Sequence, residues 1–241
     1  EYSRLIGSIL TPLLWLLILG KGIGASIDEN ESFAGVPYEQ FIFPGILTMT
    51  VLFQSVFYGL YIVWDRKIDF LKEVLAAPLN RSTVFLGKCL GGVTDSMIQV
   101  TIIIVLGFFI FPDLEYTLQS LMLVYLYLFL LAVIMTSLGL IIGSRMDSPE
   151  GFSLITSLVV FPMYFLSGAL FLKKNLIDEA PLIYWITAIN PASYAVDAIR
   201  YTLIPEDIFL EYGLSRDLAV LIGFCVFLLA LGTQSFKTMK L

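Results

Sequence analysis

LQSLMLVYLYLFLLAVIMTSLGLIIG, Leu118 to Gly143, passes through 26 residues without a charged side chain. A helix rises about 1.5 Å per residue, so about 20 apolar residues cross the roughly 30 Å hydrocarbon layer of a bilayer. This stretch therefore reads as a transmembrane helix. Five further runs approach the same length with little charge: approximately Leu5 to Gly24, Phe41 to Val63, Lys88 to Phe111, Gly151 to Leu172 and Leu218 to Phe236. The first is the weakest, because Pro12 interrupts it and its unbroken apolar core reaches only from Leu13 to Leu19. The expected fold class is an all-α integral membrane protein with six transmembrane helices, forming one domain over residues 1–241.

Composition agrees with that class. Hydrophobic residues make up 58% of the chain and charged residues 14%, against roughly 45–50% and about 25% in a soluble domain. Fourteen basic and 20 acidic residues leave a formal charge of −6, which argues against nucleic acid as a partner. Cys89 and Cys225 lie far apart in apolar runs and read as small core residues. Histidine is absent, which removes the usual general base and metal ligand; no catalytic or metal-binding residue is expected. No signal-peptide pattern precedes the first apolar run, and Glu1 in place of Met suggests a chain that begins inside a longer product. An inverted internal repeat is not discernible.

A seventh apolar stretch, Leu182 to Ile204, is cut by Asn190-Pro191 and carries Asp197 and Arg200 in its second half. Proline removes an interior helix hydrogen bond, and each charge near the bilayer centre costs about 2.5–3.5 kcal/mol on insertion scales. Two half-helices that dip in and return, a re-entrant hairpin at about 173–217, fit better than a crossing. Asp197 and Arg200, three apart, can pair on one helical face.

Placing both termini in the cytoplasm puts Arg4, Arg66, Lys67, Lys72, Arg81, Lys88, Arg145, Lys237 and Lys240 inside, and Lys21, Lys173, Lys174, Arg200 and Arg216 outside. The positive excess inside supports that orientation. Asp95, beside Gly91, Gly92 and Thr94 in the third span, reads either as a packing carboxylate near the interface or as a polar contact in a transport path or subunit seam.

The loop between the second and third spans, 64–87, is polar and helix-permissive. Ile68, Leu71 and Leu75 follow the i, i+3, i+7 spacing of one helical face, with Phe70 and Val74 beside it, and Ala76-Ala77-Pro78 ends the pattern. An amphipathic helix of about three turns is expected. It could lie on lipid, but Asp69, Lys72 and Glu73 give its polar side mixed charge, which suits docking to a protein.

Asp65-Arg66-Lys67, Phe70-Leu71-Lys72-Glu73-Val74-Leu75-Ala76-Ala77-Pro78, Arg81 and Gly87-Lys88 resemble the intracellular loop of type-two ABC exporter permeases, the daunorubicin-resistance and nodulation-factor kind. A second block, Phe161-Pro162-Met163-Tyr164-Phe165-Leu166-Ser167-Gly168 followed by Asn190, Pro191, Tyr194, Asp197 and Arg200, is similar to that family's P-x-x-x-L-S-G and N-P-x-x-Y-x-x-D-x-x-R elements. This chain departs from the family at Asp69, where Gly is common, and near Leu172, where many relatives carry Pro.

The resemblance implies a coupling helix seated in a separate ABC ATPase subunit, with Asp65, Arg66, Ile68, Phe70, Leu71, Glu73, Leu75, Pro78 and Arg81 as coupling residues. It also implies a second permease copy or a paralogue, and a prokaryotic plasma membrane. The chain itself lacks a G-x-x-x-x-G-K-[ST] phosphate loop, so ATP and Mg are expected on the partner and no cofactor on this chain. Candidate path residues are Gln54, Tyr58, Tyr61, Tyr164 and Ser167, whose other reading is ordinary interhelical bonding or interfacial anchoring. Aromatic groups with few fixed charges suit a hydrophobic or amphipathic cargo such as a drug or lipid; a polysaccharide or glycolipid is the close alternative. A secondary transporter or channel is the rival class, weakened by Asp95 being the sole acidic residue clearly inside a regular span.

Overall fold

The computed structural model describes residues 2–25, 35–76, 79–172, 180–204 and 209–239, and every regular element among them is helical. Helix α1 (Tyr2–Trp15) continues into a π-helical stretch, Leu16–Ile23. There follow α2 (Tyr38–Phe57), α3 (Leu60–Lys67), α4 (Phe70–Ala76), α5 (Arg81–Ile110), α6 (Leu118–Arg145) and α7 (Pro149–Phe165). The chain closes with α8 (Pro181–Ile189), α9 (Pro191–Leu203) and α10 (Leu214–Thr238).

Among the described residues, four helical stretches are long and apolar enough to cross a bilayer: Tyr38–Lys67, Arg81–Ile110, Leu118–Arg145 and Leu214–Thr238. They correspond to the second, third, fourth and sixth expected spans. The first expected span is a shorter apolar helix, Leu10–Gly22. The fifth, α7, has 17 residues and ends in a turn at Leu166, well before Leu172.

Local chemistry sets several of these limits. Thr117 caps α6 by accepting from the Ser120 amide at 3.1 Å, and Ser148 caps α7 by accepting from Gly151 at 3.0 Å, with Pro149 at the first helical position. Asn190 caps α9 in the same way, accepting from Ala192 at 3.0 Å ahead of Pro191. The expected break at Asn190-Pro191 is therefore a junction of two helices.

Helix α6 is the axis of the bundle, packed by α2, α5, α9 and α10. Its contact with α2 is made backbone to backbone. Chain direction breaks at Tyr58-Gly59, and a Cβ on Gly59 would sit 2.1 Å from the Gly139 carbonyl oxygen. Conversely, a Cβ on Gly139 would meet the Val56 oxygen at 2.1 Å, and one on Gly143 the Gly59 oxygen at 2.4 Å. Small residues spaced by four admit such an approach where lipid supplies no hydrophobic drive between helices. On the outside, large apolar side chains of α5, α7 and α10, including Phe109, Leu158 and Val226, stay exposed, as a lipid-facing surface requires.

Gly139→Ala should cost about 1–3 kcal/mol of stability through overpacking, whereas Gly223→Ala, which meets nothing within 4 Å inside α10, should cost nothing and gain up to about 1 kcal/mol of helix propensity; denaturant titration of the purified protein in mixed micelles measures both.

Candidate functional site

At one end of the bundle, α3 and α4 form the loop that sequence reading expects as a single amphipathic helix. The structure corrects that expectation. Ile68 and Asp69 form a turn, and Asp69 takes φ 58, the left-handed conformation that costs glycine least. The turn resets the helical phase, so Ile68 and Leu71 do not share a face. Ile68 is 69% exposed and Phe70 45%, while Leu71 is 1% exposed and belongs to the core. Glu73 is exposed, Leu75 lies in α4, and Pro78 lies outside the described residues.

Three basic side chains tie this loop to the bundle. Arg66 donates to the Ser144 carbonyl at 2.8 Å, to Met146 at 3.2 Å and to the Asp147 carboxylate at 3.0 Å. Arg81 donates to the carbonyls of Met239 at 2.8 Å and Lys237 at 3.3 Å. Both thus serve the C-terminal carbonyls of helices, α6 and α10, where the last turn lacks partners and the dipole favours a cation. Lys88 on α5 pairs with Asp65 on α3. The two residues are 23 apart in sequence, too far for spacing alone to reveal the pair.

Along α2 and α5 the polar residues converge. Gln54 donates from Nε2 to the Asp95 carboxylate, and Ser55 bonds Ser96 at 2.7 Å. Asp95 lines a cavity of about 450 Å³ with Tyr58, Tyr61, Asp65, Lys88, Gly91, Thr94 and Ile98. Gln54 lines an adjacent crevice of about 280 Å³, whose walls include Trp15, Phe53, Phe57, Gln99 and Phe161. Of the five path candidates, Gln54, Tyr58 and Tyr61 line these two spaces. Tyr164 and Ser167 are buried instead, and the Ser167 hydroxyl donates to the Tyr164 carbonyl at 2.6 Å and accepts from the Ala169 amide at 3.2 Å. Trp15 and Gln99 add a crevice wall that the path candidates do not include; the one-turn spacing of Gln99 from Asp95 is the signal in the sequence that points to it.

At the opposite end, Asp197 and Arg200 do not bond each other, as their spacing had suggested. The Asp197 carboxylate accepts from the amides of Glu211 at 3.1 Å and Tyr212 at 3.0 Å. Arg200, 2% exposed, donates to the carbonyls of Gly168 at 3.0 Å, Ala169 at 2.9 Å and Phe41 at 3.2 Å. Its guanidinium also lies 3.9 Å from the centre of the Phe41 ring. Asn190 donates to Met163 at 2.6 Å, and Tyr38 donates to Leu170 at 3.1 Å. Tyr194 closes the α8–α9 junction by donating to Ala188 at 2.6 Å. The irregular backbone after α7 is thus answered by side chains from α9 and α2, because buried carbonyls without partners are costly. A backbone competitor outbids the ion pair.

Among known proteins, residues 1–204 match the model of the ABC-2 type transporter family. The chain is 32% identical over 204 residues to the transport permease ycf38 of Cyanophora paradoxa, covering 82% of this chain and 67% of that one. It is 27% identical over 205 residues to the inner membrane transport permease YadH of Escherichia coli K12, covering 83% and 75%. Nodulation protein J of Neorhizobium galegae is 25% identical over 217 residues, covering 88% and 79%.

Replacing Arg200 with Leu strands the two buried carbonyls of Gly168 and Ala169, each worth about 1–3 kcal/mol, and should destabilise the protein by about 2 kcal/mol or more. Arg200→Lys should restore only part of this, because one ammonium cannot reproduce the planar fork. Unfolding free energies of the three proteins in mixed micelles decide it.

Proposed function

Because this chain belongs to the ABC-2 type transporter family, we propose that it is the membrane-spanning permease subunit of an ATP-driven exporter, working beside a separate ATPase subunit that holds ATP and Mg. The observation that carries this reading is the α3–α4 loop, which presents Ile68 and Phe70 outward while Arg66, Arg81 and Lys88 fasten its surroundings to α6, α10 and α3. Exposed apolar anchors on a segment braced from behind suit docking to a protein partner. A push on α4 then reaches α3 directly, and through Arg66 it reaches the α6–α7 connection.

In this reading the chain crosses the membrane six times, with α1 and α7 as the shorter crossings and both termini in the cytoplasm of a prokaryotic cell. The α8–α9 pair is a re-entrant hairpin on the outer side. Burial of α9 against α2, α6 and α10 supports that assignment, because non-spanning backbone at membrane depth has to be packed on protein. Two permeases, identical or paralogous, pair in the bilayer, and a hydrophobic or amphipathic cargo moves along the polar and aromatic surface that includes Gln54, Tyr58 and Tyr61.

Ile68→Asp with Phe70→Asp should abolish co-purification with the ATPase and reduce ATP-dependent export at least tenfold, with thermal stability unchanged. Leu71→Ala should act differently, lowering stability by about 2–5 kcal/mol, since it opens a cavity in the core. Full export by the double aspartate variant would remove the docking role of this loop.

A further inference from the structure

Helices α2 and α5 run antiparallel: Tyr58 lies against Gly92, Gln54 donates to Asp95 and Phe43 lies against Gly107. The same register places Thr50 opposite Gln99, and both line the crevice of about 280 Å³. Here the pairing of polar groups stops. The Thr50 hydroxyl donates to the Ile46 carbonyl at 2.9 Å, and the Gln54 amide nitrogen donates to Asp95. Gln99, 3% exposed, makes no hydrogen bond among the described residues, although its amide carries two N–H donors and a carbonyl acceptor.

An unpaired amide in the middle of a spanning helix is costly, because neither hydrocarbon nor an apolar wall can take the place of water as its partner. The remaining wall is largely aromatic. Phe53 meets Phe161 edge to face at 5.0 Å and stacks with Phe57 at 6.4 Å, and Trp15 adds a wall from α1. Rings set this way accept a further ring in the same edge-to-face and offset geometries. An apolar cavity of about 150 Å³ takes up one benzene molecule, so this crevice has room for about two rings. Amide and apolar groups do not repay the dehydration of an ion, which points to an uncharged occupant.

We propose that the crevice is a binding site for an uncharged aromatic molecule whose acceptor oxygen, a carbonyl or hydroxyl, takes the Gln99 amide N–H while its rings lie against Trp15, Phe53 and Phe161. The walls come from α1, α2, α5 and α7 of one chain, so the site asks neither for a second permease nor for an ATPase. It goes beyond the export reading, because it requires binding and not passage across the membrane. A lipid acyl chain, the other apolar occupant within reach, has no oxygen at this depth for Gln99 to hold.

The test is ultraviolet cross-linking of benzophenone to the purified permease in lipid nanodiscs, with diphenylmethane, the same two rings without the carbonyl, as competitor. Labelling should saturate and map by mass spectrometry to the walls at Trp15, Met49, Phe53 or Phe161. Diphenylmethane should bind at least fivefold more weakly than benzophenone, the difference one hydrogen bond makes. Gln99→Met, unbranched and of similar length, should weaken benzophenone at least fivefold and bring it level with diphenylmethane, whose own competition stays unchanged and shows the crevice intact. Phe161→Ala should weaken both molecules severalfold. Labelling that never saturates, as dissolution in lipid gives, equal affinities of the two molecules in the parent, or a preference for benzophenone that survives Gln99→Met overturns the inference.

Discussion

Arg200 lies with its guanidinium against the Phe41 ring and donates to main-chain carbonyls on both α2 and the segment after α7. The carbonyls of Gly168 and Ala169 lack helical partners because α7 stops at Phe165 while the chain must still reach α8. In a bundle whose solvent is lipid, no water stands ready to replace a missing partner. The cost of irregular backbone therefore has to be met by protein, and one buried cation meets it for the Gly168 and Ala169 carbonyls while also reaching α2 at Phe41. Asn190 and Tyr38 complete the same task at Met163 and Leu170.

The opposite end obeys the same constraint with a different outcome. Arg66 and Arg81 serve carbonyls at the ends of α6 and α10, but they do so beside an exposed loop. Here satisfied backbone leaves apolar side chains of Ile68 and Phe70 free to face outward. The bundle is thus braced at one end by buried Arg200 and at the other by half-buried arginine clasps, with α6 as the common axis. The glycines of α6 are what let α2 and α3 bend around that axis without losing contact.

Much of the helical plan was legible in the chain because apolar length has one physical meaning in a bilayer. The uncharged run at Leu118 to Gly143 and the Asn190-Pro191 break lead directly to α6 and to the α8–α9 junction. The α3–α4 turn was less legible. A periodic pattern of apolar residues cannot reveal a change of phase, and Asp69 in the left-handed region shifts every later residue to a new face. Leu71 therefore went inward although its spacing from Ile68 suggested a shared outward stripe. The Gly139-x-x-x-Gly143 spacing was a visible sign of the close packing, but its partner at Gly59 lay in another segment.

By itself the sequence determined that this protein is a helical membrane chain, where its long helices run, and which family it joins, because hydrophobic length and ordered motifs are local properties. Only the tertiary structure decided what its charges do. Asp197 and Arg200 sit within one turn of each other, yet each turns to backbone from elsewhere in the chain. Lys88 reaches across to Asp65, and Gln54 to Asp95. The choice among partners for a buried charge depends on which unsatisfied groups the fold brings within about 3 Å of it, and that is a property of packed helices rather than of spacing along any one of them.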